Sequence, residues 1–250
     1  MARQTHPAGA GTISQIQNAI PPGTILPVKL RNTISSDKVR PGQIILAEIA
    51  QTVPLPNGTS IRAGGKVEGR ILAASKGDGS VSARISFRFE KVHSKGVAIP
   101  VNISLRAVAG FMGVLSASVP EEGAAEGSPS NWWTTVQIGG DSVYGVGGPV
   151  MSGEHTSEEV GRSVSDGVLV RASAKKGTKC RGVVADNDRP QAFWVFSSDA
   201  CGTYGMEQVR IAHAGRSEPV GTIVLTSEKP QLRLRGGDGL LLRVNAIPQE

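Results

Sequence analysis

Aromatic residues make up 4% of this 250-residue chain, as five Phe, three Trp and two Tyr. Platforms that bind single-stranded nucleic acid need exposed aromatics on which bases stack. Phe87 and Phe89 share the phase of the apolar residues Val81 and Ile85. They therefore belong to a buried face, and nucleic acid is not an expected partner. Charged residues are 19% of the chain, below the usual ~25%, which argues against a charge-rich disordered protein. No window approaches the roughly 18 apolar residues of a membrane helix, so no transmembrane segment is expected. Histidine is sparse. His6, His93, His155 and His213 stand far apart, so no local metal-binding pair exists.

Nucleophile and phosphate motifs are missing as well. There is no Gly-x-Ser-x-Gly elbow. The glycine-rich Gly145-Val146-Gly147-Gly148-Pro149 lacks a following Lys-Ser/Thr, so it reads as turn chemistry. Asp186-Asn187-Asp188 has carboxylate spacing but no later Gly and Glu of a calcium loop, and it reads as a turn. These gaps exclude a recognisable catalytic or metal constellation. The expectation is a protein that is not an enzyme and needs no cofactor.

Cysteine occurs twice, at Cys180 and Cys201, both in turn-like contexts and without metal-ligand spacing. Two states fit: a disulfide, or two buried free thiols. The even count in a Gly-rich β chain favours the disulfide. Such a bridge contributes about 3 kcal/mol in the chain-entropy model and implies an oxidising compartment. Residues 1–10 lack a charged segment followed by an apolar one. They are not a signal peptide, which leaves either a removed signal or a cytosolic protein.

Glycine (32) and proline (15) exceed their usual joint share of about 12%. Turns such as Arg40-Pro41-Gly42, Leu55-Pro56-Asn57-Gly58 and Ala63-Gly64-Gly65 bound short strands at 24–30, 43–50 and 67–73. From Val81 to Glu90 every odd residue is apolar and every even one polar. The alternation returns from Val97 to Ala107. Period two of this length predicts one long antiparallel hairpin with a buried and a wet face, the latter carrying Arg84, Arg88 and Arg106. Further strands are predicted at 168–172, 192–196, 208–212, 222–225, 231–234 and 240–244, the last two joined as a hairpin. Phe193-Trp194-Val195-Phe196 lacks alternation and predicts a strand buried on both faces. The one helix candidate is 154–164.

Charge is segregated. Residues 1–110 carry 14 Lys/Arg against 5 Asp/Glu, a balance of +9. Residues 111–160 carry none against 7, and residues 161–250 carry 13 against 9. Opposite regions of this kind favour contact between regions or between copies.

The expected organisation is all-β: two antiparallel β-sandwich or barrel domains joined by a Gly/Ser/acidic linker. Residues 1–19 form an extended segment with Ile13 and Ile16 as a donor strand. Residues 20–110 form the first domain, 111–160 the linker with one strand, and 161–250 the second domain. Trp132 and Trp133, adjacent and so on opposite faces of a strand, are candidate contacts for a partner or a glycan, as are Arg84 and Arg88.

The stretch from Ile20-Pro21-Pro22-Gly23-Thr24 through Arg40-Pro41-Gly42-Gln43 to Gly64-Gly65-Lys66-Val67-Glu68-Gly69-Arg70 resembles the β domain of TrbI-like outer-membrane-core subunits of type IV secretion systems. It also resembles a looser group of uncharacterised bacterial secreted or envelope β proteins. The secretion subunits carry an N-terminal membrane helix, a Pro-rich region and a membrane-crossing helix pair, none of which is matched here. The resemblance implies an extracytoplasmic bacterial β protein that works by association.

Together these readings predict a secreted or cell-surface structural protein that self-associates, as a surface fibre or filament subunit. Its expected partners are copies of itself or other envelope proteins. The alternatives are a component of an envelope complex, a module binding surface polysaccharide and, third, a hydrolase.

Overall fold

The computed structural model describes residues 19–118, 134–145, 147–153, 158–171 and 189–247. The first stretch carries β1 (Ile25–Leu30), β2 (Ile34–Ser35), β3 (Ile44–Ile49), β4 (Val53–Pro54), β5 (Ser60–Ile61), β6 (Lys66–Ser75), β7 (Ala83–Ser94), β8 (Val97–Pro100) and β9 (Ile103–Ala109). Helix α1 (Phe111–Ser118) follows. Next come β10 (Thr134–Val136), β11 (Ser142–Tyr144), β12 (Pro149–Met151), β13 (Glu159–Val164), β14 (Gly167–Arg171) and β15 (Pro190–Ala192). The last stretch carries β16 (Gly202–Tyr204), β17 (Val209–His213), β18 (Ile223–Ser227), β19 (Arg233–Leu234) and β20 (Gly239–Val244). The protein is all-β apart from the one short helix among the described residues.

Ten strands make one sheet in the order β16-β9-β20-β1-β3-β6-β7-β18-β17, with β8 added beside β7. Every pair is antiparallel except β16 with β9. The sheet coils until its ends meet. Just past β17, the Ala214 carbonyl accepts the Leu105 N–H of β9 at 2.8 Å, so the sheet is a nearly closed barrel. Two register shifts between β6 and β7 tighten that coil. One of them requires Gly69, where a Cβ would collide with the Arg88 carbonyl. The β7–β8 turn places Lys95 and Gly96 both at positive φ, matching a two-residue turn to strand twist.

Alternation explains the solvent-facing wall. In β3, β6 and β7 the residues Ile45, Ile49, Val67, Ile71, Ile85, Phe87 and Phe89 point into the barrel and are buried. Each such side chain contributes roughly 1.5–3 kcal/mol. The intervening polar residues pair outside, as Lys29 and Arg31 do with Glu48, and Arg70 and Arg88 with Glu90.

Six strands, β10 through β15, form a separate antiparallel meander. It lies, with α1, over the outer wall made by β1, β20 and β9. Ile25, Leu241, Ala107 and Ala109 face outward there and are covered by Val143, Val150, Val170, Phe193 and Phe196.

Several expectations change at this level. The chain does not divide into two domains at 111–160. Strands β18 and β20, from the expected second domain, pair with β7, β1 and β9 of the first. The meander is inserted between β9 and β16, and the described residues of 111–160 hold α1, β10, β11, β12 and the start of β13 rather than a linker with one strand. The long hairpin ends early. Pro100 offers no N–H to continue the ladder, and β9 pairs with β20 and β16 instead. The predicted C-terminal hairpin is split, because β19 pairs with β2. Residues 159–164 of the helix candidate form β13, while 154–157 lie outside the described residues. The helix forms at Phe111–Ser118. Its first N–H, on Phe111, is capped by the Asp238 carboxylate at 2.8 Å. That cap comes from 127 residues away, so no local pattern reveals it.

Candidate functional site

Strand β15 ends at Ala192, and the chain then turns instead of extending. Phe193 and Phe196 are both fully buried in the layer between barrel and meander. The Phe196 N–H donates to the Phe193 carbonyl at 2.9 Å and closes the turn. Trp194, at its centre, adopts φ of 55°, a conformation uncommon for a bulky side chain. Residues 193–196 are therefore a buried turn and not the predicted strand. Phe and Trp without alternation signalled burial on all sides, which a turn between two layers also satisfies.

Two glutamines hold this turn. The buried Gln51, between β3 and β4, accepts the Trp194 N–H at 2.5 Å and donates to the Val168 carbonyl at 2.9 Å. Gln137, just past β10, donates its amide to the Trp194 carbonyl at 3.0 Å and the Phe196 carbonyl at 2.8 Å. Gly167 permits the approach, since a Cβ there would lie 2.7 Å from Gln51 Oε1 and 2.8 Å from the Trp194 Cα.

The turn floors a half-open cleft of about 420 Å³ between α1 and the meander. Thr135, Ser163 and Asp166 line its walls along with Gln137 and the half-buried Trp194. Ser163 Oγ donates to the Gly145 carbonyl at 3.0 Å and accepts the Gly147 N–H at 2.6 Å. Asp166 Oδ2 accepts the Thr52 N–H at 2.7 Å. Gln137 Oε1, in a residue only 3% exposed, has no hydrogen-bond partner among the described residues. A buried acceptor left without a donor costs about 1–3 kcal/mol.

Arg106 supports the same segment from below. It was expected on a wet face but is 7% exposed, because residues 193–200 cover the outer wall of β9. Its Nε donates to the Ala200 carbonyl at 3.0 Å and its Nη2 to the Ser198 carbonyl at 2.5 Å. The guanidinium carbon stands 5.2 Å from the centre of the Phe193 ring. Burial lowers its pKa to about 10, with Asp199 pulling it back up and Arg216 and Arg243 pressing it down. It remains a cation at neutral pH. The buried Asp141 completes the clamp by accepting the Ser198 N–H at 2.6 Å.

The sequence candidates fall elsewhere. Arg84 and Arg88 are exposed on β7. Arg88 pairs with Glu90 at 2.8 Å, as on an ordinary solvated wall. Trp132, Trp133, Ile13, Ile16 and Cys180 lie outside the described residues. Cys201 is half-buried, and its N–H donates to the Tyr204 hydroxyl at 2.9 Å. Among the described residues no group of three His, Cys, Asp or Glu side chains is placed to hold a metal ion. No helix among them is long and apolar enough to cross a membrane.

No protein-family model, no curated protein and no solved structure matches the chain.

Proposed function

We propose that the protein is a non-enzymatic, extracytoplasmic structural subunit that assembles with copies of itself at a bacterial surface, with Cys180 and Cys201 joined in a disulfide. The observation that carries this reading is an exposed apolar strip. On α1, Phe111, Met112 and Leu115 are 45%, 66% and 44% exposed. On the outer face of the meander, Val136 on β10 and Tyr144 on β11 are exposed as well. Their strands are neighbours, with Thr134 opposite Tyr144 and Val136 opposite Ser142. Exposed apolar side chains gathered on one short helix mark an association site.

The occupant is the N-terminal segment 1–19 of a neighbouring copy. Among the described residues strand β10 ends the order of its sheet, so a donated strand would extend the meander through main-chain hydrogen bonds, with Ile13 and Ile16 as its apolar residues. Nineteen extended residues reach at most about 65 Å, enough to bridge to the next molecule. The segment carries one formal charge, Arg3, and the strip lies in the region with no Lys or Arg, so the contact is apolar and main-chain in character. Head-to-tail contacts of this sort grow into filaments when the rotation does not close. The resemblance to secretion-system core subunits supports extracytoplasmic association in general.

Deletion of residues 1–19, and separately Met112→Lys with Leu115→Lys, should each leave folded monomers where the full chain forms larger species. Sedimentation velocity and negative-stain microscopy read this directly. A full chain that stays monomeric across a concentration series, or variants that assemble as well as it does, would remove the reading. Intact mass before and after reduction tests the disulfide.

A further inference from the structure

We infer that the cleft beneath α1 is a binding site for a neutral, hydroxyl-rich ring: a pyranose unit of a glycan. The size is the first argument. About 420 Å³ sits at the lower end of small-ligand sites, which run from about 300 to 1,000 Å³. Charge is the second. Among the described residues that line the cleft there is no Lys, Arg or His, and the one ionisable group is Asp166. Phosphorylated and carboxylated ligands would meet no counter-charge and one like charge there.

Hydrogen-bonding capacity is the third argument. The Asp166 carboxylate on the cleft wall is an acceptor, and the Thr135 hydroxyl beside it both donates and accepts. A ligand suited to this wall must bring donors without bringing a negative charge. Sugar hydroxyls do so, and they also accept from Thr135.

The indole of Trp194 supplies what hydroxyls cannot, an apolar surface for the C–H face of the ring. It packs edge-on against Phe196, with ring centres 6.4 Å apart. The left-handed backbone at Trp194, clamped by Gln51, holds that surface in place before any ligand arrives. Uncommon backbone conformations persist where the surroundings over-determine them, and they cluster at ligand sites. A preformed wall lowers the ordering cost of binding.

The test uses the full chain with soluble gluco-oligosaccharides and N-acetylhexosamine oligosaccharides as probes, read by saturation-transfer NMR and titration calorimetry. Trp194→Gly is the informative variant, since glycine adopts the same φ and removes only the indole. Circular dichroism verifies its fold, and Asp166→Asn provides a second, milder change. At least one neutral probe should bind, with affinity falling about tenfold or more in Trp194→Gly and less in Asp166→Asn. Failure of every neutral probe at about 10 mM would overturn the inference. So would binding that survives Trp194→Gly, or preference for a lysine-rich peptide that Asp166→Asn abolishes. Sedimentation of the same samples separates this from self-assembly, because Trp194→Gly leaves the strip on α1 and β10 intact.

Discussion

Strands β7 and β20 belong to one barrel and obey different rules. β7, Ala83–Ser94, sends Ile85, Phe87 and Phe89 inward and Arg84 and Arg88 into water. In β20, Gly239–Val244, Leu240 and Leu242 face inward while Leu241 faces outward and is equally buried. The difference is what lies outside. β7 fronts solvent, whereas β20, β1 and β9 front the meander, so both of their faces must be apolar. The cleft arises where a wall has been covered, because two layers meeting there leave a seam.

The largest expected effects test the two sides of that covered wall. Phe87→Ala, inside the barrel, and Phe196→Ala, between barrel and meander, should each cost about 3–5 kcal/mol if their surroundings do not collapse. They should differ in where the loss is felt. Phe87→Ala lowers the urea midpoint of the whole protein. Phe196→Ala speeds hydrogen exchange in β10–β15 and α1 first, with barrel amides still protected. Uniform exchange in both variants would mean that meander and barrel unfold as one unit.

Arginines on the two walls should differ next. Arg106→Ala strips the Ser198 and Ala200 carbonyls of their donor and should cost about 2–4 kcal/mol by denaturant unfolding. Lysine should not restore it, having no fork to span both carbonyls. Arg88→Ala, on the wet wall, should change stability by less than about 1 kcal/mol. Equal losses would show that residues 193–200 do not rest on Arg106.

The smallest effect concerns pH. Burial raises the Asp238 pKa above its ordinary 3.8, partly offset by the N–H groups of Arg235 and Phe111. A raised carboxyl contributes its stability below the unfolded value and loses it as pH rises through the native one. Asp238→Asn should therefore gain on the wild type as pH rises from 3 toward neutrality, read as a widening difference in urea midpoints. Lowered carboxyls act in the opposite sense: Glu68, held by Lys66, loses its contribution as pH falls. A difference that stays flat with pH would place Asp238 in solvent.

Much of the strand content was legible because alternation and Gly/Pro turns are local. Thr24–Leu30, Gln43–Ala50 and Val67–Ala73 were read within a few residues of β1, β3 and β6. Pairing was less legible. Leu232-Arg233-Leu234 and the run Leu240–Val244 look like a hairpin across Gly236-Gly237, yet β19 finds β2 and β20 finds β1 and β9. Nor did the segment Phe111–Ser118 announce a helix, since its capping carboxylate is Asp238. At the cleft, Trp194 stood out only as part of an apolar run, while Gln51 and Gln137 carried no signal at all. A single polar residue in a strand pattern is ordinary until its burial is known.

Period-two hydrophobicity and turn residues thus committed the chain to short strands with one apolar face, because those preferences act between residues close in sequence. Which strand lies beside which, which wall is covered, and which polar atoms are trapped there was decided by tertiary packing. Gln51 reaches Trp194 across 143 residues and Gln137 reaches Phe196 across 59. Hydrogen bonds at such separations exist only once the barrel has coiled and the meander has settled on it.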